Sequence, residues 1–80
     1  MNDKDIHAHI EALVAQEHAL YEKADEARLT PDERKQLDEV GVQLDRYYDL
    51  LRQRRAKDEF GQNPDQAHMR SARTVEEYVE

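Results

Sequence analysis

Leu29-Thr30-Pro31-Asp32-Glu33-Arg34-Lys35-Gln36-Leu37 is the stretch on which the fold turns. Thr30 precedes a proline, the residue best suited to a first helical position because its missing N–H has no intrahelical partner there. Glu33 follows the threonine by three, which completes a capping box: the Thr30 hydroxyl takes the Glu33 amide and the Glu33 carboxylate takes the Thr30 amide. Leu29, just before the cap, can staple onto the first turn. A helix therefore begins at Pro31, and whatever precedes Leu29 must end there.

Downstream, Leu37, Val40, Leu44, Tyr47 and Leu51 recur at three and four residues, with Tyr48 alongside. That is the apolar stripe of a helix. Helical composition runs to about Phe60, where Gly61 supplies a stop and Pro64 bars resumption. Upstream, Ile6, Leu13, Leu20 and Ala27 read as one seam position, and Ile10, Glu17 and Ala24 as the other. Asn2 or Asp3 can cap this first helix, predicted over about 3–28; the second is predicted over about 31–60. A link of one or two residues forces antiparallel neighbours. Folding about residue 29 pairs positions whose numbers sum to roughly 58, so Leu13 meets Leu44, Ile10 meets Tyr47 or Tyr48, and Ile6 meets Leu51.

The expected fold is all-α: an antiparallel, coiled-coil-like two-helix hairpin over residues 1–61, followed by a tail over 62–80. Asn63-Pro64-Asp65 is a turn signal in that tail. Thr74 can cap a short helix over 75–79. So short a segment does not hold a helix alone, so the tail either docks through Met69, Val75 and Tyr78 or stays disordered.

Eighty residues at 38% hydrophobic and 39% charged make one small domain with a thin core. Val14, Tyr21, Tyr48 and Leu50 lie off the seam, which makes the stripes wider than one hairpin can bury. A homodimer, two hairpins forming a four-helix bundle, is the expected remedy. No apolar run approaches the roughly 20 residues of a membrane span, and the first residues carry no signal-peptide pattern. There is no cysteine, hence no disulfide and no thiolate zinc site. The expected location is the cytoplasm. A net charge of −7 repels a polyanion and argues against nucleic acid as a partner.

One segment inverts that charge. Arg46, Arg52, Arg54, Arg55 and Lys57 face Asp49 alone. Arg52, Arg54, Arg55 and Lys57 are the candidate contact for an anion or an acidic partner, because guanidinium groups match phosphate and carboxylate. The weightier reading is structural: cations complement a helix C-terminus, and the hairpin brings Asp3 and Asp5 beside them. Glu17 sits on the seam near Gly41, and a glycine inside a helix costs about 1 kcal/mol relative to alanine. The pair reads as a register-fixing polar contact, with Glu17 accepting from Tyr47, Tyr48 or Arg46; a buried carboxylate of raised pKa is the alternative.

No metal, cofactor or catalytic set emerges. His7 and His9 point to different faces, while His7–Glu11 and His18–Glu22 offer two ligands each. Ser71 is the one serine. The expected function is a non-enzymatic protein–protein interaction or regulatory module, with the basic segment as the contact for a further protein. An anion-binding module for nucleic acid or a phosphate metabolite is the alternative.

Leu50-Leu51-Arg52-Gln53-Arg54-Arg55-Ala56-Lys57, then Glu59-Phe60-Gly61 and Asn63-Pro64-Asp65, with Glu17-His18 upstream and Val75-Glu76-Glu77-Tyr78 at the close, resemble a family of very small actinobacterial proteins known only as a domain of unknown function. The resemblance spans nearly the whole chain. Members often carry Cys-Trp where this chain has Tyr47-Tyr48, and a glycine in the inter-helix loop that this chain lacks. Both departures look like packing variation. The resemblance implies an actinobacterial origin and a helical fold, and no activity.

Overall fold

A computed structural model describes residues 1–26 and 29–79, with backbone alone for 25, 26 and 76–79. Helix α1 spans Asp3–Glu26 and α2 spans Pro31–Glu59. A single 3-10 turn, Pro64–Gln66, leads to α3, Ala72–Val79. No strand occurs among the described residues.

The start of α1 and both ends of α2 are satisfied by groups the local sequence supplies. Asn2 caps α1: its Oδ1 accepts the Asp5 amide at 2.9 Å. The Thr30 box forms as expected, with Glu33 N donating to Thr30 Oγ1 at 3.2 Å and Thr30 N to Glu33 Oε1 at 3.0 Å. At the other end of α2, Gly61 takes φ +71°, Gly61 N donates to Asp58 O and Gln62 N reaches Lys57 O at 2.7 Å. That pair of bonds is a Schellman stop, which needs the left-handed residue that glycine tolerates best. The expected end of α1 near Arg28, and the seam position Ala27, lie outside the described residues.

The hairpin is antiparallel. Asp3 pairs with Arg54, His9 stacks on Tyr47, and Lys23 pairs with Glu33. These place the register within one turn of the expected one. Ile6, Ile10, Val40, Leu44 and Leu50 form the buried cluster, with Leu13, Tyr47, Leu51, Ala67 and Met69 packed against it.

Two expectations are corrected in the tail. Leu50, off the hairpin seam, is only 4% exposed rather than surplus surface, because the tail returns along α2 and adds Ala67 and Met69 to the same cluster. The last helix starts at Ala72, three residues earlier than expected. Ser71 caps it, its Oγ accepting the Thr74 amide at 3.2 Å, and Thr74 Oγ1 lies 2.9 Å from Ser71 Oγ. Of the three docking residues expected, Val75 is buried and Met69 half-buried, and the Tyr78 side chain lies outside the described residues.

The central element is α2, with α1 on one flank and the turn and α3 on the other. The result is a plate of 50 × 25 × 15 Å. Its radius of gyration is 14.9 Å, against about 12 Å for a compact domain of this length. The plate is little more than one helix thick, so both its broad faces meet solvent.

Candidate functional site

The basic half of α2 divides into two jobs. Arg54 is drawn inward: its side chain is 11% exposed. Its Nε donates to Asp3 Oδ1 at 2.6 Å, and one terminal nitrogen donates to Asp65 Oδ1 and Pro64 O, both at 3.1 Å. It ties the start of α1 to the 3-10 turn across α2. The carboxylates, Asp3 foremost and then Asp65, hold the Arg54 guanidinium above its ordinary pKa. Arg52 and Arg55 are exposed and Lys57 is half-buried; none of the three makes an ion pair among the described residues. The structure therefore does not gather the four cations into one cluster. The crevice beside Arg54 and Arg55, about 380 Å³, also holds Asp3, Asp58 and His7.

The polar centre that sequence reasoning missed lies on the opposite flank. Asp49 is the buried charged side chain among the described residues, 5% exposed. Gln53 Nε2 donates to Asp49 Oδ2 at 2.9 Å and to His68 O at 3.0 Å. Arg70 Nε lies 3.5 Å from Asp49 Oδ2, and Arg46 Nε donates to Arg70 O at 3.0 Å. An irregular segment has backbone carbonyls that no helix satisfies; Arg46 and Gln53 donate to two of them from one flank of α2, and Asp49 accepts from Gln53 and pairs with the Arg70 side chain. The signal was present as Arg46-x-x-Asp49-x-x-x-Gln53, a spacing that shares a helix face. Reading it required knowing that a chain returns over that face.

The Glu17 expectation fares differently. Glu17 is half-buried and makes no hydrogen bond to Tyr47, Tyr48 or Arg46 among the described residues. Arg46 is committed to the tail and to Gln43. Tyr47 lies flat on His9, ring centroids 5.2 Å apart, and Tyr48 is 46% exposed rather than buried. A Cβ built on Gly41 would meet nothing within 4 Å, so Glu17 does not use the gap left by the missing side chain.

Both faces of the plate carry apolar groups. On one, Leu13, Leu20 and Val40 line a groove of about 430 Å³ with Gln16, Gln36, Gln43 and Glu39. The other follows from heptad arithmetic. His7, Val14 and Tyr21 share one position of α1, and Gly41, Tyr48 and Arg55 share one of α2. His7 and Arg55 line the same crevice, so both rows flank the same side of the hairpin. This side carries Val14 at 36%, Tyr21 at 53% and Tyr48 at 46% exposure around Gly41. No group of three or more His, Asp or Glu side chains among the described residues is placed to hold a metal ion.

The model of a family described as proteins of unknown function (DUF2630) matches residues 2–80. The chain belongs to this family. It is 40% identical over 78 residues to the uncharacterised proteins Rv0898c of Mycobacterium tuberculosis and Mb0922c of Mycobacterium bovis, covering 96% of this chain and 90% of each relative. These mycobacterial relatives agree with the actinobacterial family expected from the sequence. No solved structure matches the chain significantly.

Proposed function

We propose that this DUF2630 protein is a non-enzymatic interaction module of the cytoplasm that works as a homodimer, two hairpins forming a four-helix bundle. The observation that carries the reading is the side of the plate where Val14, Tyr21 and Tyr48 stand exposed together. Three large apolar side chains on one face of so small a domain exceed the scattered exposure normal for a monomer. The core offers a second support. Only six apolar side chains are buried among the described residues, and association is the usual way a chain this short gains burial. A plate face of 50 × 25 Å is also large enough for the roughly 800 Å² per partner that a stable interface covers. Sedimentation equilibrium at low micromolar concentration, at two salt levels, tests it. A dimer that persists in high salt supports an apolar interface; a monomer at every concentration overturns the reading.

A second reading draws on Arg52, Arg55 and Lys57, cations without an ion pair among the described residues. They would take an anion such as a phosphate metabolite or nucleic acid. Its mark is affinity that falls steeply with salt and disappears in Arg52→Gln/Arg55→Gln/Lys57→Gln. Arg54 drops out of this reading, because its guanidinium is occupied.

A further inference from the structure

Gly41 lies well inside α2, where glycine is the poorest helix former after proline. The usual reasons for a glycine are missing. Its φ is not positive; among the described residues Gly61 alone has that conformation. Apart from its chain neighbours and the adjoining backbone of α2 itself, no atom lies within 4 Å of where a Cβ would stand. The protomer therefore has room for a side chain it does not carry. Half-buried Gly41 shares a heptad row with Tyr48, on the side of the hairpin where Val14 and Tyr21 of α1 are also exposed. A missing side chain on such a face lets another helix approach more closely than the usual 8–10 Å between axes.

We infer that Gly41 is the crossing point where α2 of a second copy of this chain packs against α2 of the first. The inference rests on the homodimer reading and adds its geometry. A two-fold axis through this point makes the contact isologous, so Gly41 faces the other copy's Gly41. With that axis perpendicular to α2, the two α2 helices run antiparallel, and residues equally far on either side of Gly41 meet. Arg34 and Tyr48 lie seven residues to either side on the same helical row. At bundle-like crossing angles of about 20°, that distance of roughly 10 Å leaves a lateral offset of only about 4 Å. Tyr48 of each copy thus comes beside the other copy's Arg34, with Asp45 one turn from that tyrosine. The guanidinium gains an aromatic face and a carboxylate. Arg34 is exposed and makes no ion pair among the described residues, so it is available for both. The contact also stacks α1 on its counterpart, bringing Val14 and Tyr21 of both copies under cover. A foreign partner could use the same apolar residues, but it would not tie Arg34 to Tyr48 through symmetry.

Sedimentation equilibrium of the full chain, with circular dichroism as the check on folding, tests the crossing with two variants. Gly41→Leu adds a side chain where the protomer is empty, and it improves helix propensity. It is expected to stay fully helical and to dissociate at least a hundredfold more readily. Arg34→Glu places an acid near the start of α2, where the helix dipole favours it, yet sets it against the other copy's Asp45. It is expected to weaken the dimer about tenfold without loss of helix. A wild-type dimer whose affinity either variant leaves within threefold overturns the crossing and leaves the homodimer standing. A wild-type chain that is monomeric up to 100 µM, on the order of ordinary weak association, overturns both.

Discussion

The two ends of the hairpin are made from the same kind of sequence and end in different states. At the end where α1 begins, Ile6 is 0% exposed, Ile10 8%, Leu44 6% and Leu50 4%. Toward the loop, Leu20 and Leu37 occupy equivalent seam positions and are only half-buried, although Val40 between them and Leu44 is 7% exposed. The seam residues do not explain the contrast. The tail contributes to it: Ala67 and Met69 join the cluster at the first end. Two helices bury a strip, and a third segment is needed before the strip becomes a core.

The largest effect that probes this contrast comes from truncating matched residues at the two ends. Ile6→Ala is expected to lower stability by about 3–4 kcal/mol. Leu20→Ala is expected to cost about 1 kcal/mol, because the side chain is only half-buried. Urea unfolding followed by circular dichroism measures both. Equal losses would erase the distinction between a clad and a bare end.

Next in size is the anchor of the tail. Asp49→Ala removes the acceptor shared by Gln53 and Arg70. A loss of about 2 kcal/mol is expected for a buried, charge-assisted group. Hydrogen exchange should rise first over residues 67–75 and at the Leu50 end of the core. Unchanged protection there would mean that apolar contact alone holds the tail.

Smaller effects belong to the bare end, where local chemistry holds α2 in place. Thr30→Ala is expected to cost about 1 kcal/mol through loss of the cap. Acid titration reads the same box. Hydrogen bonding from Lys23, and then from the Thr30 amide, lowers the Glu33 pKa from 4.5 to about 2. A carboxylate depressed by folding stabilises the native state fully above its unfolded pKa, and the gain disappears as pH falls through the folded value. The wild type should therefore lose a small increment of stability between about pH 4.5 and pH 2. Glu33→Gln should flatten that part of the curve, as urea midpoints across this range will register. A variant curve parallel to wild type would move the acid sensitivity away from the Thr30 box.

Elements whose causes lie within a few residues were legible before any coordinates. The Thr30 box, the Gly61 stop and the antiparallel turn-back at residue 29 depend on local hydrogen-bond chemistry and chain connectivity, and the structure contains each of them. The seam Ile6–Leu13–Leu20 against Leu44 and Leu51 was legible through its 3-4 spacing. Family membership was legible through residues 50–65 together with the closing segment.

What escaped reading depends on where a distant stretch of chain comes to lie. Leu50 read as surplus apolar surface, and Asp49 as one acid among arginines; a tail returning over α2 makes one a core residue and the other an anchor. Arg54 read as one of four equivalent cations, yet a helix rotates successive side chains by about 100°. That rotation sends Arg54 toward Asp3 and Asp65 and leaves Arg52 and Arg55 in water. Gly41 read as the neighbour of Glu17 in a register-fixing contact, but no side chain comes within 4 Å of the space beside it. Local chemistry repeats wherever the residues repeat. Burial is a property of neighbours, and which neighbours arrive is settled when the whole chain packs.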